Sequence, residues 1–421
     1  HTLNFDETFT AMAARRPLGD LLDFLRHHDS HPPLDYLLRG PFAATGSDVL
    51  VRLPSVVFST AALAVFAWWS RAWGRAGLLA TGLMAVSGFE VFYGREARMY
   101  ALMELVGVVV AVGAYRWTIR RTTAPAAVVG CALLVGVFTH VSGLLLAAGA
   151  FGLAGLARDR AAWRWRVATA APVLLWAAAW GPSVLDQHRG APVGWIPFTT
   201  PAGVAHAVAE PLLSRTSLAW LVVAAVVAGA VVVTRSERRL ATVGLACFVV
   251  PAAIAAVIGL FEHFFIARTL AFGAWAPLAA IAFLLDAAVR RYRALGVLVV
   301  AVVGVFVLSS TAQALRNEPL GRIDALTEYL HAELRPGDVV STPAWERTLV
   351  EWPVAVQGDA PTRAVHSPLH AGFALQLEGR ATGRVWIVES ADDHETVAGA
   401  RACARPWGND AVQVHCLRVP S

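Results

Sequence analysis

The chain has 421 residues, 57% of them hydrophobic and only 15% charged, with a formal net charge of +5. An ordinary soluble domain carries about 25% charged residues. Here the apolar excess gathers between Leu53 and Ala314 in runs of roughly 15–21 residues, the length that crosses a bilayer core as helix. A soluble enzyme, a disordered chain and a disulfide-stapled secreted domain are excluded. A polytopic membrane protein is expected.

The positions of the charges are more informative than their sum. All 35 basic residues are arginine, and fifteen of them fall in five short clusters: Arg71 and Arg75; Arg116, Arg120 and Arg121; Arg158, Arg160, Arg164 and Arg166; Arg235, Arg238 and Arg239; Arg290, Arg291 and Arg293. The alternate gaps hold only Arg95, Arg98, Arg189, Arg215 and Arg268. That alternation is the positive-inside pattern, so the clusters are expected to face the cytoplasm. It accounts for the basic balance without a nucleic-acid partner.

Ten spans are expected, roughly 53–70, 76–93, 99–115, 124–139, 142–157, 167–185, 216–234, 240–260, 269–289 and 294–313. An even number puts both ends on one side. Residues 1–52 then form a first extracytoplasmic loop, 53–313 a transmembrane helical domain, and 314–421 an extracytoplasmic α/β domain. The first residue is His1 and residues 1–10 have no apolar signal core, so a helix upstream of the loop is expected. The fold class is mainly α: a polytopic helical bundle with a small C-terminal α/β domain.

In chain order, the first outer loop opens with the adjacent acids Asp6 and Glu7. Leu18, Leu21, Leu22 and Leu25 then follow the i, i+3, i+4, i+7 rule and predict an amphipathic helix lying in the membrane interface. The prolines of His31-Pro32-Pro33-Leu34-Asp35-Tyr36 suit the start of a second short helix, with His31 at its positive end. The second outer gap carries Arg95-Glu96-Ala97-Arg98-Met99-Tyr100, where two arginines at a membrane boundary are suited to hold phosphate oxygens. Farther along the same face stand His140, the Asp186-Gln187-His188 group, Glu210, Glu262 with His263, and Arg268. Each has a structural alternative. Asp6 and Glu7 could serve a helix N-terminus, Arg95 and Arg98 could snorkel to lipid headgroups, and Glu262 could simply pair with Arg268. The concentration of acids, histidines and arginines on one membrane face argues for chemistry there.

The tail reads as a small α/β domain. A helix is expected over Ile323–Leu334, a turn at Arg335-Pro336-Gly337-Asp338, strands over Val339–Ser341, Val385–Val388 and Val412–Val419, and a helix near Glu395–Ala402. Cys403 and Cys416 lie in this tail, where a disulfide can persist; Cys131 and Cys247 fall within spans. No spacing suggests a metal site.

The order of the outer-loop pieces resembles the GT-C glycosyltransferases, in their dolichyl-phosphate-mannose-protein mannosyltransferase-like branch. Asp6-Glu7-Thr8-Phe9 resembles the paired-acid motif of that family. His31-Pro32-Pro33-Leu34-Asp35-Tyr36, Arg52-Leu53-Pro54-Ser55 and Glu96-Ala97-Arg98-Met99-Tyr100-Ala101-Leu102 follow in the family's order. Thr139-His140 and Arg268 are weaker matches. The motifs cover about residues 1–145. The resemblance implies a GT-C fold and transfer of a monosaccharide, mannose or a relative such as arabinose, from a polyprenyl-phosphate carrier to a lipid, glycan or protein acceptor. The reaction would take place at the extracytoplasmic face of the plasma membrane.

Such a donor has a good leaving group, so the chemistry needs a base for the acceptor hydroxyl and cations for the departing phosphate. The resemblance gives Asp6 as the base with Glu7 beside it, and His31, Arg95, Arg98, Tyr100 and Arg268 as donor or phosphate contacts. Glu96, His140, Glu262 and His263 are further substrate-site candidates. A direct displacement would invert the anomeric centre. No cofactor is required, although a divalent cation would be compatible. Two departures stand out: the family's span before the paired acids is absent from these residues, and no outer loop is long enough for the β-trefoil of the protein-modifying branch. The rival class is a transporter or flippase, which tends to show repeated halves and broken helices at the midplane. No repeat is evident here.

Overall fold

The structure, a computed structural model, describes residues 3–29, 31–156, 160–188, 196–213, 218–316, 323–343, 347–358, 361–365, 372–379, 383–390, 401–404, 406–408 and 412–418. In chain order the first helices are α1 (Phe5–Ala14), α2 (Leu18–His28), α3 (Leu34–Ala43), α4 (Asp48–Ser70), α5 (Arg75–Val86), α6 (Gly88–Arg95), α7 (Tyr100–Ile119), α8 (Thr123–Thr139) and α9 (Ser142–Gly152). They are followed by α10 (Arg160–Ala179), α11 (Gly181–His188), α12 (Pro201–Ala209), α13 (Ala219–Ser236), α14 (Arg238–Gly244), α15 (Val250–Ile258), α16 (Trp275–Arg291) and α17 (Arg293–Arg316). Two compact units emerge. One comprises Pro17–Leu38 and Arg52–Arg316; the other joins His1–Arg16, Arg39–Val51 and Asn317–Ser421.

The larger unit is the helical bundle. Among the described residues, five helices are long and apolar enough to cross a membrane: Asp48–Trp73, Tyr100–Ile119, Ala219–Ser236, Arg238–Ile258 and Arg293–Gln313. Three helix pairs reach that length and apolarity only when joined across a bend, Arg75–Val86 with Gly88–Arg95 (51°), Ala162–Ala179 with Gly181–Gln187 (57°), and Ala267–Gly273 with Trp275–Arg291 (68°), the geometry of a broken span or a re-entrant loop. Thr123–Thr139 and Ser142–Gly155 are shorter apolar helices. Each of the ten apolar runs is therefore helical, but the bends were not legible as hydropathy. The first bend has a local cause. Ser87 is extended (φ −63°, ψ 127°), its hydroxyl accepts the Glu90 N–H as an N-cap, and the same hydroxyl donates to the Pro211 carbonyl at 2.6 Å.

Small residues let these helices approach closely. A Cβ on Gly107 would stand 1.7 Å from the Phe272 carbonyl oxygen, and one on Gly229 would stand 2.1 Å from that of Ala280. Only glycine fits at either crossing. The Gly107 crossing sets the middle of α7 against the 3₁₀ turn Ala267–Gly273, which carries Arg268.

The arginine clusters collect at one end of this bundle. Arg75 and Arg290 both bond the Asp286 carboxylate, Arg116 lies 4.7 Å over the Trp68 ring, and Arg164 donates to Thr123 at 2.7 Å. Tyr115, near the C-terminal end of α7, is in electrostatic reach of Glu237 and Arg239. The opposite end of α7 begins with Tyr100, where the outer-gap residues assemble.

The smaller unit is built on a mixed sheet of β1 (Val339–Pro343), β2 (Thr362–Val365), β3 (Gly372–Leu377), β4 (Arg384–Ser390), β5 (Arg401–Ala402), β6 (Trp407–Gly408) and β7 (Val412–Arg418). The strand order is β2-β3-β1-β4-β7-β5, with β6 also on β7; β1 and β4 are parallel and the other pairs antiparallel. Leu326 and Leu330 of the helix Ile323–Glu333 pack with Val340, Leu375, Trp386 and Val414, and Phe5 of α1 joins this core. Buried Asp338 accepts the Trp386 indole N–H (3.0 Å) and the Arg335 backbone N–H (3.1 Å), while Gly337 takes a positive φ of 88° in the expected turn. Cys403 and Cys416 are bridged.

The Glu395–Ala402 helix is not found where it can be seen: Arg401–Ala402 is a strand, and 391–400 lies outside the described residues. Segment 39–51 is stitched into this unit. Asp48 accepts from the Trp352 indole (3.0 Å) and the Gln357 amide (2.8 Å), and the Arg15 guanidinium donates to the Ala43 carbonyl (2.7 Å). The first loop is thus divided between the two units.

Candidate active site

At the Tyr100 end of the bundle, the loop between α2 and α3 makes a compact polar knot. Asp29, just past α2, lies 2.6 Å from His31 Nδ1 through Oδ1, which also accepts the His31 backbone N–H at 3.2 Å. The Tyr36 hydroxyl donates to its other oxygen. Burial alone would raise the Asp29 carboxyl, but the His31 charge, the hydrogen bonds from His31 and Tyr36, and the nearby Arg98 hold it below the usual carboxylate range. Burial, reinforced by the Asp29 charge and opposed by Arg98, pushes Tyr36 well above the ordinary phenol. Asp29 is therefore the fixed anion of the site. It takes the Nδ1 edge of His31 and leaves Nε2 for a ligand.

Gln187 of α11 secures this loop, its amide donating to the carbonyls of Leu25 (2.9 Å), Arg26 (2.7 Å) and Asp29 (3.2 Å). The Leu25 carbonyl also accepts the Asp29 N–H that caps α2, and Arg26 belongs to the last turn, where helical carbonyls run out of partners.

His140 follows α8 and is buried. Its ring lies 5.0 Å from that of His31 and 6.0 Å from that of Tyr100. Its Nδ1 receives the Ser142 backbone N–H (3.1 Å) and lies 2.7 Å from the Ser142 hydroxyl, which assigns the proton of the neutral ring to Nε2. Burial, with the positive charges of His31, Arg98 and Arg268 around it, holds His140 well below the ordinary histidine value. It is a neutral donor in a positive field.

The Glu96–Met99 bend supplies Arg98. The Glu96 carbonyl accepts the Arg98 N–H at 2.7 Å and the Ser55 hydroxyl at 2.5 Å, so the loop is tied to α4. Arg98 and Glu96 are buried, while Arg95 at the end of α6 is half-buried. The Arg268 guanidinium lies 5.7 Å over the Tyr100 ring, and Tyr93 meets Tyr100 at 4.9 Å. Glu210, after α12, is pushed up to about 7 by burial despite the opposing charge of Arg268.

The structure thus brings together His31, Arg98, Tyr100, His140 and Arg268 from widely separated segments. Asp29 and Ser142 were not singled out from sequence; Tyr36 stood there only as the end of the His31–Tyr36 motif, and Gln187 only between Asp186 and His188. Asp29 offered one signal, an acid two residues before His31. Other expected residues have different surroundings. Glu262 is exposed, and His263 bonds the Ile196 carbonyl through Nδ1 and stacks on Phe198 at 4.2 Å. Asp186 is exposed on α11, and Arg189, Arg215 and the His188 side chain lie outside the described residues.

In the smaller unit, Asp6 is half-buried in the first turn of α1. Glu7 closes a capping box: its carboxylate accepts the Asn4 N–H and the Asn4 side chain accepts the Glu7 N–H, both at 2.9 Å. Glu7 thus serves the N-terminus of α1. Among the described residues, no group of three or more His, Cys, Asp and Glu side chains is arranged to hold a metal ion.

No protein-family model and no curated protein matches this sequence. In three dimensions the chain is similar to ArnT from Cupriavidus metallidurans, solved bound to undecaprenyl phosphate. The similarity has a TM-score of 0.59 at 13% sequence identity, and it covers 99% of this chain and 94% of that one. The fold is of the GT-C type. This likeness carries the GT-C architecture, helical bundle and small sheet domain together, without choosing a branch among GT-C proteins.

Proposed function

We propose that the chain is a membrane glycosyltransferase that moves a monosaccharide from a polyprenyl-phosphate carrier to an acceptor at the extracytoplasmic surface. One observation carries the reading. Arg98, Arg268, His31 and His140 converge at one end of a GT-C bundle, and a similarly folded protein has been solved with undecaprenyl phosphate. Two guanidiniums and an imidazole edge suit a phosphodiester that leaves as a phosphate monoester, because charge builds on its oxygens as the glycosidic bond breaks. Asp6 is proposed as the base that takes the acceptor hydroxyl proton, in a single displacement that inverts the anomeric centre. Mannose is the default sugar from the motif resemblance, and an arabinose-type pentose is the second choice. The arginine-cluster end faces the cytoplasm by the positive-inside rule, in a plasma membrane.

Incubating membranes that hold the protein with radiolabelled polyprenyl-phosphate mannose or arabinose tests the proposal. Label transferred to a lipid or glycan acceptor, abolished in Asp6→Asn with donor binding retained, supports it. Movement of intact donor across the bilayer without transfer would instead make the chain a flippase.

A further inference from the structure

A cavity of about 510 Å³ lies in the helical unit between α13, the helix Arg238–Ile258 and the first turns of α16. Val226, Ala230, Thr234, Arg238, Phe248 and Trp275 outline it. That volume is in the range of small-ligand sites, which span about 300–1,000 Å³. Its wall is largely apolar: the hydroxyls of Thr234 and Thr242 donate to the carbonyls of Ala230 and Arg238 within their own helices, and the buried Trp275 indole N–H is a lining donor without a hydrogen-bond partner. Leu245 and Val249, on the π-helical turn Leu245–Val249, line it while remaining half exposed, so it opens on the lipid-facing side of the bundle.

Its polar end is singular. Arg238 is exposed and makes no ion pair among the described residues, with Arg235 and Arg239 beside it in sequence. This end belongs to the arginine-cluster side, since Glu237 and Arg239 are in reach of Tyr115. From Tyr115 to Tyr100, α7 rises about 22 Å at 1.5 Å per residue, so the cavity mouth and the candidate active site lie at opposite ends of the bundle. Along α13 the cavity runs from Thr234 to Val226, about 12 Å, close to the hydrocarbon depth of one leaflet, about 15 Å.

We propose that this cavity binds an anionic phospholipid of the leaflet on the arginine-cluster side, with one acyl chain between α13 and α16 and the phosphate on Arg238. It is a second lipid site, separate from the proposed donor site. A neutral wall one leaflet deep selects a lipid chain, and an unpaired guanidinium at its mouth selects an anionic headgroup. A basic residue near an anionic lipid surface contributes about fivefold in affinity.

The test uses the purified full chain in phosphatidylcholine vesicles doped with a diazirine-tailed phosphatidylglycerol or its phosphatidylcholine counterpart. Cross-linked peptides are then mapped by mass spectrometry. Labelling of 226–249 and 275–280, about fivefold stronger with phosphatidylglycerol and reduced to parity in Arg238→Gln, supports the site. Ala230→Trp, which fills the cavity, should remove labelling by both probes; Arg238→Gln, at an exposed position, keeps the test decisive if Ala230→Trp does not fold. Equal labelling by the two probes in the wild type overturns the proposal, as does unchanged preference in Arg238→Gln. Displacement by inorganic phosphate would make this a simple anion site, and displacement by polyprenyl phosphate would assign it to the donor; either result also overturns it.

Discussion

Replacing Asp29 with asparagine isolates the anion that organises the proposed donor site. The carboxylate accepts three hydrogen bonds, from His31 Nδ1, the His31 backbone and the Tyr36 hydroxyl. The amide can keep its oxygen toward His31 only by turning its NH2 on Tyr36, whose hydroxyl must then accept rather than donate. The charge is lost in every arrangement. Charge-assisted bonds are roughly twice as strong as neutral ones, and a bond to a charged group is worth about 1.5–3 kcal/mol. The expected loss of about 1.4–2.8 kcal/mol is a 10- to 100-fold fall in kcat/KM for the donor, through misplacement of His31.

Stability should change in step. The Asp29 carboxyl is held below its ordinary 3.8, so its contribution is full at neutral pH and is lost as pH falls below about 4. Thermal unfolding across pH 3–7 should therefore show the gap between wild type and Asp29→Asn narrowing on the acid side. A donor kcat/KM within twofold of wild type, together with superimposable pH–stability curves, would refute the role of Asp29 as organiser.

Three further outcomes are expected. Burial lifts Glu210 from its ordinary 4.5 to about 7, so the folded chain keeps a proton that the unfolded chain has released. Stability is then full below about 4.5 and declines as pH rises through about 7. Glu210→Gln should flatten that decline, and it should spare donor affinity the weakening expected when a carboxylate forms beside Arg268; melting curves and donor KM at pH 6 and 8 check both. Glu7→Gln preserves an acceptor for the Asn4 N–H and should stay near wild-type stability, whereas Glu7→Ala should lose about 1 kcal/mol by chemical denaturation. Gly107→Ala forces a Cβ against the Phe272 carbonyl and should cost about 1–3 kcal/mol and raise donor KM, read by thermal melting and kinetics.

The spans and their alternating charge were legible because membrane crossing imposes long apolar runs, and runs of Val, Leu and Ala such as 294–308 have no other use. The bends were not, because hydropathy runs unbroken through the Ser87 cap; its hydroxyl also donates to Pro211, a partner remote in sequence. In the site, Arg98, Tyr100, His140 and Arg268 could be found as polar groups at span ends, where desolvation makes them conspicuous. Asp29 hid in a run of polar loop residues, and its importance depends on burial that only the fold creates. The tie of residues 39–51 to the sheet domain was equally hidden, since Asp48 meets Trp352 and Gln357 some 300 positions later. Strands β2 and β3 escaped notice because each is short and neither alternates cleanly.

The crossing at Gly107 reaches beyond stability. With the backbone of the Ala267–Gly273 turn seated directly on α7, Tyr100 at the head of that helix and Arg268 on the turn form one preorganised platform. Ordering entropy at this corner is spent during folding, so on the proposed function a donor phosphate would meet a cation already aimed. The α2–α3 loop beside it is held differently, with Asp29 and His31 fastened by hydrogen bonds instead of backbone packing. One side of the proposed site is thus set by backbone packing and the other by side-chain hydrogen bonds.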